Sequence, residues 1–98
     1  MTELWQVVST IPEGRVASYG AVGQALSNPV SGLLVGRWMF QTPPGTDIPW
    51  WRVVGSKGDL LIARRDARLA KDQREKLEAE GVEFEDDRVK GEFFFQFF

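Results

Sequence analysis

The sequence predicts a mainly helical domain with a small β element, of the helix-turn-helix kind that resembles a winged helix. Two observations predict it. Four stretches with helical signals are separated by Pro, Gly and capping residues, and the second and third are joined by a short turn. Two short aliphatic runs lie between the third and the fourth. The length of 98 residues suits one core, so we expect a single domain over residues 1–98.

Apolar spacing and helix breakers place the first three helices. Four apolar residues follow an i, i+3, i+4, i+7 pattern that predicts a first helix ending before Pro12, namely Leu4, Val7, Val8 and Ile11. Ser18 is a suitable N-cap for a short second helix, which Asn28-Pro29 ends. Residues 30–40 are predicted to form the third helix. In a helix-turn-helix, this second helix of the pair enters a DNA groove.

The second half of the chain predicts a hairpin and one more helix. Residues 53–54 and 60–62 are aliphatic and are separated by a Gly-containing turn, which predicts a β-hairpin. Asp66 is a suitable N-cap for a fourth helix that runs to about Glu80. Gly81 then supplies the left-handed residue that commonly ends a helix.

Two further segments carry no helix signal. Residues 41–49 contain Pro and Gly and predict an ordered loop. The C-terminus carries a run of five aromatic residues, Phe93, Phe94, Phe95, Phe97 and Phe98. They are too apolar to remain in solvent, so we predict a strand or extended tail that packs back over the domain. The alternative is a docking patch for another protein.

The chain contains no cysteine and no histidine. It therefore lacks a thiolate nucleophile, the usual neutral-pH general base and the commonest metal ligand. We expect no metal and no cofactor.

No apolar stretch approaches the about 20 residues that span a bilayer, and no secretory signal is recognisable. We accordingly expect a cytoplasmic monomer, associated with the nucleoid if the source is bacterial, and no membrane partner.

Charge is distributed unevenly along the chain. The net charge is -2, yet residues 1–70 carry seven basic and five acidic side chains, whereas residues 71–98 carry five basic and nine acidic ones. This asymmetry is compatible with a basic binding face and an acidic back.

Four motifs occur in an order that is typical of one family: Ile-Pro-Glu-Gly-Arg-Val-Ala-Ser-Tyr-Gly at 11–20, Asn-Pro and Val-Gly at 28–29 and 35–36, Pro-Trp-Trp-Arg-Val-Val at 49–54, and Leu-Glu-Ala-Glu-Gly-Val at 77–82. The Pro-x-x-Arg-Val segment is the most specific of them. Together they resemble the DNA-binding domain of O6-alkylguanine-DNA alkyltransferase, and more closely the alkyltransferase-like proteins. The resemblance implies the fold of the alkyltransferase C-terminal domain.

The resemblance also implies a function. In the repair enzymes the motif is Pro-Cys-His-Arg-Val, where Cys accepts the alkyl group and His relays its proton. Here Trp50 stands at the nucleophile position and Trp51 at the base position, and an indole is neither. The implied function is a non-enzymatic sensor that flips O6-alkylguanine out of double-stranded DNA and flags it for nucleotide excision repair proteins.

Several residues match functional positions of the family. Tyr19 is implied to press on the phosphate of the flipped nucleotide and to line the lesion pocket. Trp50 is implied to form a wall of that pocket, whereas Trp51 either contacts a base or only fills space. With Cys and His absent, Arg52 and Glu80 are interpreted as a structural ion pair.

The family's intercalating Arg is replaced in this sequence. Its position holds Leu33, which can wedge into a base stack but cannot hydrogen-bond the orphaned cytosine. Arg37, four residues later on the same helix face, is the candidate substitute. Either Arg64 or Arg65 matches an Arg that stacks on the flipped base in alkyltransferase-like proteins.

Two other classes of function stay open at this point. One is a helix-turn-helix regulator that reads undamaged DNA, with the pocket collapsed around two indoles. The other is a protein-interaction module that has lost DNA binding, which Leu33 and the negative net charge would explain.

Overall fold

A computed structural model describes residues 2–41, 48–64 and 66–97, and of Thr2 and Arg64 the backbone alone. The helices are α1 (Thr2–Ser9), α2 (Tyr19–Gln24), α3 (Gly32–Gln41) and α4 (Ala67–Ala79), and the strands are β1 (Ala17–Ser18), β2 (Val53–Val54), β3 (Phe84–Glu85) and β4 (Arg88–Val89). Short 3-10 turns occur at Trp50–Arg52, Leu61–Arg64 and Gly91–Phe93. The mainly helical fold class is therefore confirmed. Most of the predicted 41–49 loop lies outside the described residues.

Local capping chemistry sets the helix ends where the sequence predicts them. The hydroxyl of Ser18 accepts a hydrogen bond from the backbone N–H of Ala21 at 3.0 Å and caps α2. The carboxylate of Asp66 accepts one from the N–H of Arg68 at 2.9 Å and caps α4. Gly81 follows the end of α4 with a φ of 92°, a conformation that glycine adopts without strain.

Helix α3 begins at Gly32, two residues later than predicted, because Ser31 caps it. The Ser31 hydroxyl accepts a hydrogen bond from the N–H of Leu34 at 3.2 Å. A β-carbon at position 32 would lie 2.8 Å from the backbone nitrogen of Gly20. Glycine at this position therefore allows the backbones of α2 and α3 to approach closely, as the helix pair requires.

The predicted hairpin over residues 53–62 is wrong. Val53–Val54 pairs in parallel with Ala17–Ser18, with Ala17 opposite Val53, and residues 61–64 form a 3-10 turn that packs against α4. The aliphatic pattern shows that β2 is buried but carries no information on a partner so distant in sequence. A hairpin occurs later in the chain, where β3 and β4 flank Asp86 and Asp87, both at positive φ.

Two apolar clusters form the interior. The first joins α1, α2 and α3 to the parallel strand pair, and its buried residues are Leu4, Val8, Ile11, Ala17, Val22, Val35 and Val53. The second joins α4 to the other face of that pair and to the hairpin, and its buried residues are Val16, Val54, Leu77, Val82 and Val89. The parallel pair thus lies between both clusters and fixes the Trp-Trp-Arg segment against the interior.

The phenylalanine-rich tail packs back over the domain, as predicted. Val16 donates its N–H to the carbonyl of Phe93 at 2.9 Å and accepts a hydrogen bond from the N–H of Phe95 at 2.7 Å. The rings of residues 93–95 and 97 contact the two clusters, and Phe98 lies outside the described residues. Across the described part of the chain, no helix is both long and apolar enough to cross a membrane.

Candidate nucleic-acid interface

A largely apolar cavity of about 90 Å³ lies where the four helices meet. Each helix supplies at least one wall residue, and the turn that contains Trp50 supplies another. The lining residues are Trp5, Tyr19, Gly36, Met39, Phe40, Trp50, Ile62, Leu69 and Gln73. An aromatic and aliphatic lining with few polar groups suits the flat face of an aromatic ligand.

An open groove of about 560 Å³ runs along α3 beside the cavity. Four residues line both spaces, namely Tyr19, Gly36, Phe40 and Ile62. Leu33 and Arg37 lie on the groove wall, one helical turn apart, and the side chain of Leu33 is 78% exposed. The groove therefore leads from an exposed face of α3 to the cavity.

Tyr19 stands at the mouth between the groove and the cavity. It is the first residue of α2, and its ring lies close to Gly36, where a β-carbon would be 3.7 Å from the ring. Burial, and after it the carboxylate of Asp59, raises the pKa of the Tyr19 phenol above its ordinary value of 10.0. A phenol is already protonated at neutral pH, and this shift keeps Tyr19 in its hydrogen-bond-donating form.

The two adjacent tryptophans have different environments. Trp50 lines the cavity, and its ring meets that of Trp51 edge to face, with centroids 6.0 Å apart. Trp51 is not among the cavity-lining residues. Its indole N–H donates to the carboxylate of Glu80 at 2.9 Å, and the cations of Arg52 and Lys76 lie 5.7 and 5.2 Å from its ring. Trp51 thus connects the Trp-Trp-Arg segment to the C-terminal end of α4.

The structure contains the ion pair predicted between Arg52 and Glu80. Their nearest atoms are 2.7 Å apart, with side-chain exposures of 14% and 10%. Arg52 also donates to the carbonyl of Ile11 at 2.9 Å, and Glu80 accepts the N–H of Gly14 at 3.0 Å. Burial raises the pKa of the Glu80 carboxyl, but hydrogen bonds from Arg52, Gly14 and Trp51 outweigh it and lower that pKa below its ordinary value.

Two of the predicted site residues cannot be placed. Arg65 and the side chain of Arg64 lie outside the described residues. Within the part of the chain that is described, no group of three or more His, Cys, Asp or Glu side chains is arranged as metal ligands would be.

Sequence reasoning missed several cavity residues, and Gln73 is the most informative of them. It is 1% exposed, and its amide nitrogen donates to the carbonyls of Trp51 and Val53. A signal was present in the sequence: Leu69, Gln73 and Leu77 follow one another at four-residue spacing, so Gln73 interrupts an apolar stripe of α4.

Comparison with known proteins identifies the family. The profile described as "6-O-methylguanine DNA methyltransferase, DNA binding domain" matches residues 1–82. The chain belongs to this family. It is 34% identical over 83 residues to a DNA base-flipping protein of Vibrio parahaemolyticus, covering 85% of this chain and 80% of that one. It is 36% identical over 83 residues to alkyltransferase-like protein 1 of Schizosaccharomyces pombe, covering 84% and 75%.

Another relative in this family is longer than the chain. The DNA base-flipping protein of Escherichia coli is 38% identical over 79 residues, which cover 81% of this chain and 59% of that protein.

The chain itself has no cysteine. This member of the alkyltransferase family therefore cannot take an alkyl group onto a thiol, and it is not a cysteine methyltransferase.

Solved structures of the family share the fold. Atl1 of S. pombe, in complex with damaged DNA containing O6-carboxymethylguanine, superposes with a TM-score of 0.81 at 30% identity, covering 97% of this chain and 93% of that one. The OGT-R37K protein of Mycobacterium tuberculosis superposes with a TM-score of 0.70 at 27% identity, covering 88% and 50%. The chain therefore has the fold of the alkyltransferase-like DNA-binding domain.

Proposed function

We propose that the chain binds double-stranded DNA carrying O6-alkylguanine, holds the flipped base at the cavity and leaves it unrepaired. The observation that carries this proposal is the groove along α3 that leads past Tyr19 into the apolar cavity. Relatives named DNA base-flipping proteins, and Atl1 in complex with O6-carboxymethylguanine DNA, support it.

The size of the cavity indicates how a base is held. Its volume of about 90 Å³ is well below the roughly 300–1,000 Å³ of typical ligand pockets. A purine therefore occupies both the cavity and the adjoining mouth of the groove, or lining side chains move to admit it. Met39 is suited to such movement because its unbranched side chain adapts to irregular space.

Helix α3 supplies the contacts to the rest of the duplex. Leu33 enters the base stack from the minor groove as an apolar wedge, a role that its exposure on α3 supports. Flipping itself costs a few kcal/mol, least where the damaged pair is weak. Arg37 lies one turn away and contacts a phosphate or the vacated space. Arg64 or Arg65 stacks on the flipped base.

The consequence of binding is a signal rather than a repair reaction. The chain has neither the cysteine that would accept the alkyl group nor a histidine that would relay a proton. A long-lived complex on the lesion then serves as a mark for nucleotide excision repair proteins, in a cytoplasmic protein that acts as a monomer.

The environment of Trp51 argues against a regulator of undamaged DNA. That alternative required the pocket to be collapsed around two indoles. Trp51 instead lies against Glu80, and a cavity adjoins Trp50.

Substitution of Tyr19 tests this function. Tyr19→Ala removes the ring and the hydroxyl at the mouth, so we expect affinity for an O6-methylguanine duplex to fall about tenfold or more. Affinity for the matched undamaged duplex should change little, since no base is flipped there. Fluorescence anisotropy with labelled duplexes measures both.

Tyr19→Phe is the matched control because it keeps the ring and removes only the hydroxyl. It should retain most of the preference for the lesion. An equal loss of affinity for both duplexes in Tyr19→Ala would mean that Tyr19 only packs or contacts phosphate.

A further inference from the structure

One of the residues that line the cavity has a buried hydrogen-bond acceptor without a partner. Gln73 lies on α4, is 1% exposed and lines the cavity. Its amide nitrogen donates to the carbonyl of Trp51 at 3.1 Å and to that of Val53 at 2.9 Å. Its carbonyl oxygen, Oε1, has no hydrogen-bond partner, and among the described residues no other buried side-chain nitrogen or oxygen shares this condition.

The orientation of this carboxamide is fixed by its neighbours. The amide group has two N–H donors, and two backbone carbonyls accept them. Reversing the group would place Oε1 against two carbonyl oxygens, which is repulsive. Oε1 is therefore the unpaired acceptor of a residue whose neighbours in the cavity lining are mostly apolar.

A buried acceptor without a partner destabilises a protein, and folded proteins rarely keep one. An apolar residue of similar length at position 73 would avoid that cost, but it would remove the donor to the carbonyls of Trp51 and Val53. These two hydrogen bonds account for the amide nitrogen of Gln73, and a donor supplied by a bound ligand would account for Oε1.

We propose that Oε1 of Gln73 accepts a hydrogen bond from the exocyclic 2-amino group of the flipped purine. Guanine carries this N2–H₂ donor, and adenine has no donor at that position. Alkylation at O6 removes the proton from N1 but leaves the 2-amino group in place. Gln73 then selects a guanine-type ring, while the apolar lining accommodates the alkyl group. The inference rests on the proposed function, since it requires that a base enter the cavity.

Two methylated duplexes that differ only in the 2-amino group test the inference on the unaltered protein. One carries O6-methylguanine and the other O6-methylhypoxanthine, each opposite cytosine. We expect about tenfold weaker binding to O6-methylhypoxanthine, the effect of leaving one buried acceptor unpaired. Loss of the amino group also weakens the base pair and eases flipping. This effect alone would make binding to O6-methylhypoxanthine tighter than binding to O6-methylguanine.

The variant Gln73→Met locates the effect at this side chain. Methionine has a similar length and no acceptor of comparable strength, so the variant should lose the tenfold preference for the O6-methylguanine duplex and bind O6-methylhypoxanthine at least as tightly. Gln6→Met is the matched control, because Gln6 is exposed on α1, and it should keep the tenfold difference. Circular dichroism verifies folding, and if Gln73→Met does not fold, the comparison on the unaltered protein decides.

The outcomes separate this inference from the proposed function. Equal affinity of the unaltered protein for both methylated duplexes overturns the role of Gln73, even if both bind more tightly than undamaged DNA. A tenfold difference that persists in folded Gln73→Met also overturns it. Equal affinity for O6-methylguanine and guanine duplexes instead contradicts the proposed function itself.

Discussion

Glu80→Gln should lower the free energy of unfolding by about 3 kcal/mol, the lower end of the range for breaking a buried ion pair. The substitution leaves the Arg52 guanidinium without its counterion, and it weakens the hydrogen bonds from Gly14 and Trp51. We choose the lower end because the two side chains keep 14% and 10% exposure. Urea denaturation followed by circular dichroism measures the change.

Glu78→Gln is the matched control for this effect. Glu78 pairs with Arg74 one helical turn away, but those side chains are 52% and 38% exposed. Loss of such a pair should cost about 0.5 kcal/mol or less. Equal destabilisation by both substitutions would contradict the view that the Arg52–Glu80 pair holds the Trp-Trp-Arg segment to α4.

The same ion pair predicts a pH dependence of stability. The pKa of Glu80 lies below its ordinary value of 4.5 in the folded chain. Its contribution to stability is therefore fully present above pH 4.5 and is lost as the pH falls through the folded-state pKa. The unaltered protein should accordingly lose more stability than Glu80→Gln on acidification below pH 4.5, so that the two unfolding curves converge.

Trp50→Cys combined with Trp51→His should convert the chain into a protein that accepts a methyl group from O6-methylguanine. In this reaction the thiolate forms a bond to the methyl carbon, the bond from O6 to that carbon breaks, and the base regains a proton. The ring of residue 51 faces Glu80, where the Trp51 N–H lies 2.9 Å from the carboxylate. A histidine at this position can therefore relay the thiol proton.

Trp50→Cys alone should react at least about a hundredfold more slowly. A thiol has an ordinary pKa of about 8.5, and Trp51 cannot act as its base. A single-turnover assay with radiolabelled methylated DNA compares the two variants, and the unaltered protein should acquire no label. If the single variant equals the double variant in rate, the relay argument is wrong. If neither reacts although both bind the lesion, Trp50 does not stand at the acceptor position.

Features of the fold that depend on neighbouring residues could be predicted from the sequence. Ser18 and Asp66 cap helices through hydrogen bonds to backbone groups two or three residues away, and Gly81 ends α4 through its own conformation. The pairing of β2 with β1 could not be predicted, because Val53 and Ala17 are far apart in sequence and only packing brings them together. The local aliphatic pattern therefore predicted a hairpin that the fold does not contain.

Some residues of the candidate site could likewise be predicted from local sequence, and others could not. Tyr19 and Trp50 were found because they stand in recognisable motifs, and both line the cavity. Gln73 was missed because a glutamine on a charged helix is ordinarily a surface residue. Gln73 is buried because its amide donates to the carbonyls of Trp51 and Val53, which belong to other elements of the fold.

The proposed function requires that the chain bind alkylated DNA in preference to undamaged DNA. Two of its four tryptophans, Trp5 and Trp50, line the cavity, so their emission reports directly on entry of a base. A titration of tryptophan fluorescence with matched duplexes, with and without O6-methylguanine, is the most direct test. We predict tighter binding to the methylated duplex together with a change in emission. Equal affinity for the two duplexes, or no binding to either, would contradict the account.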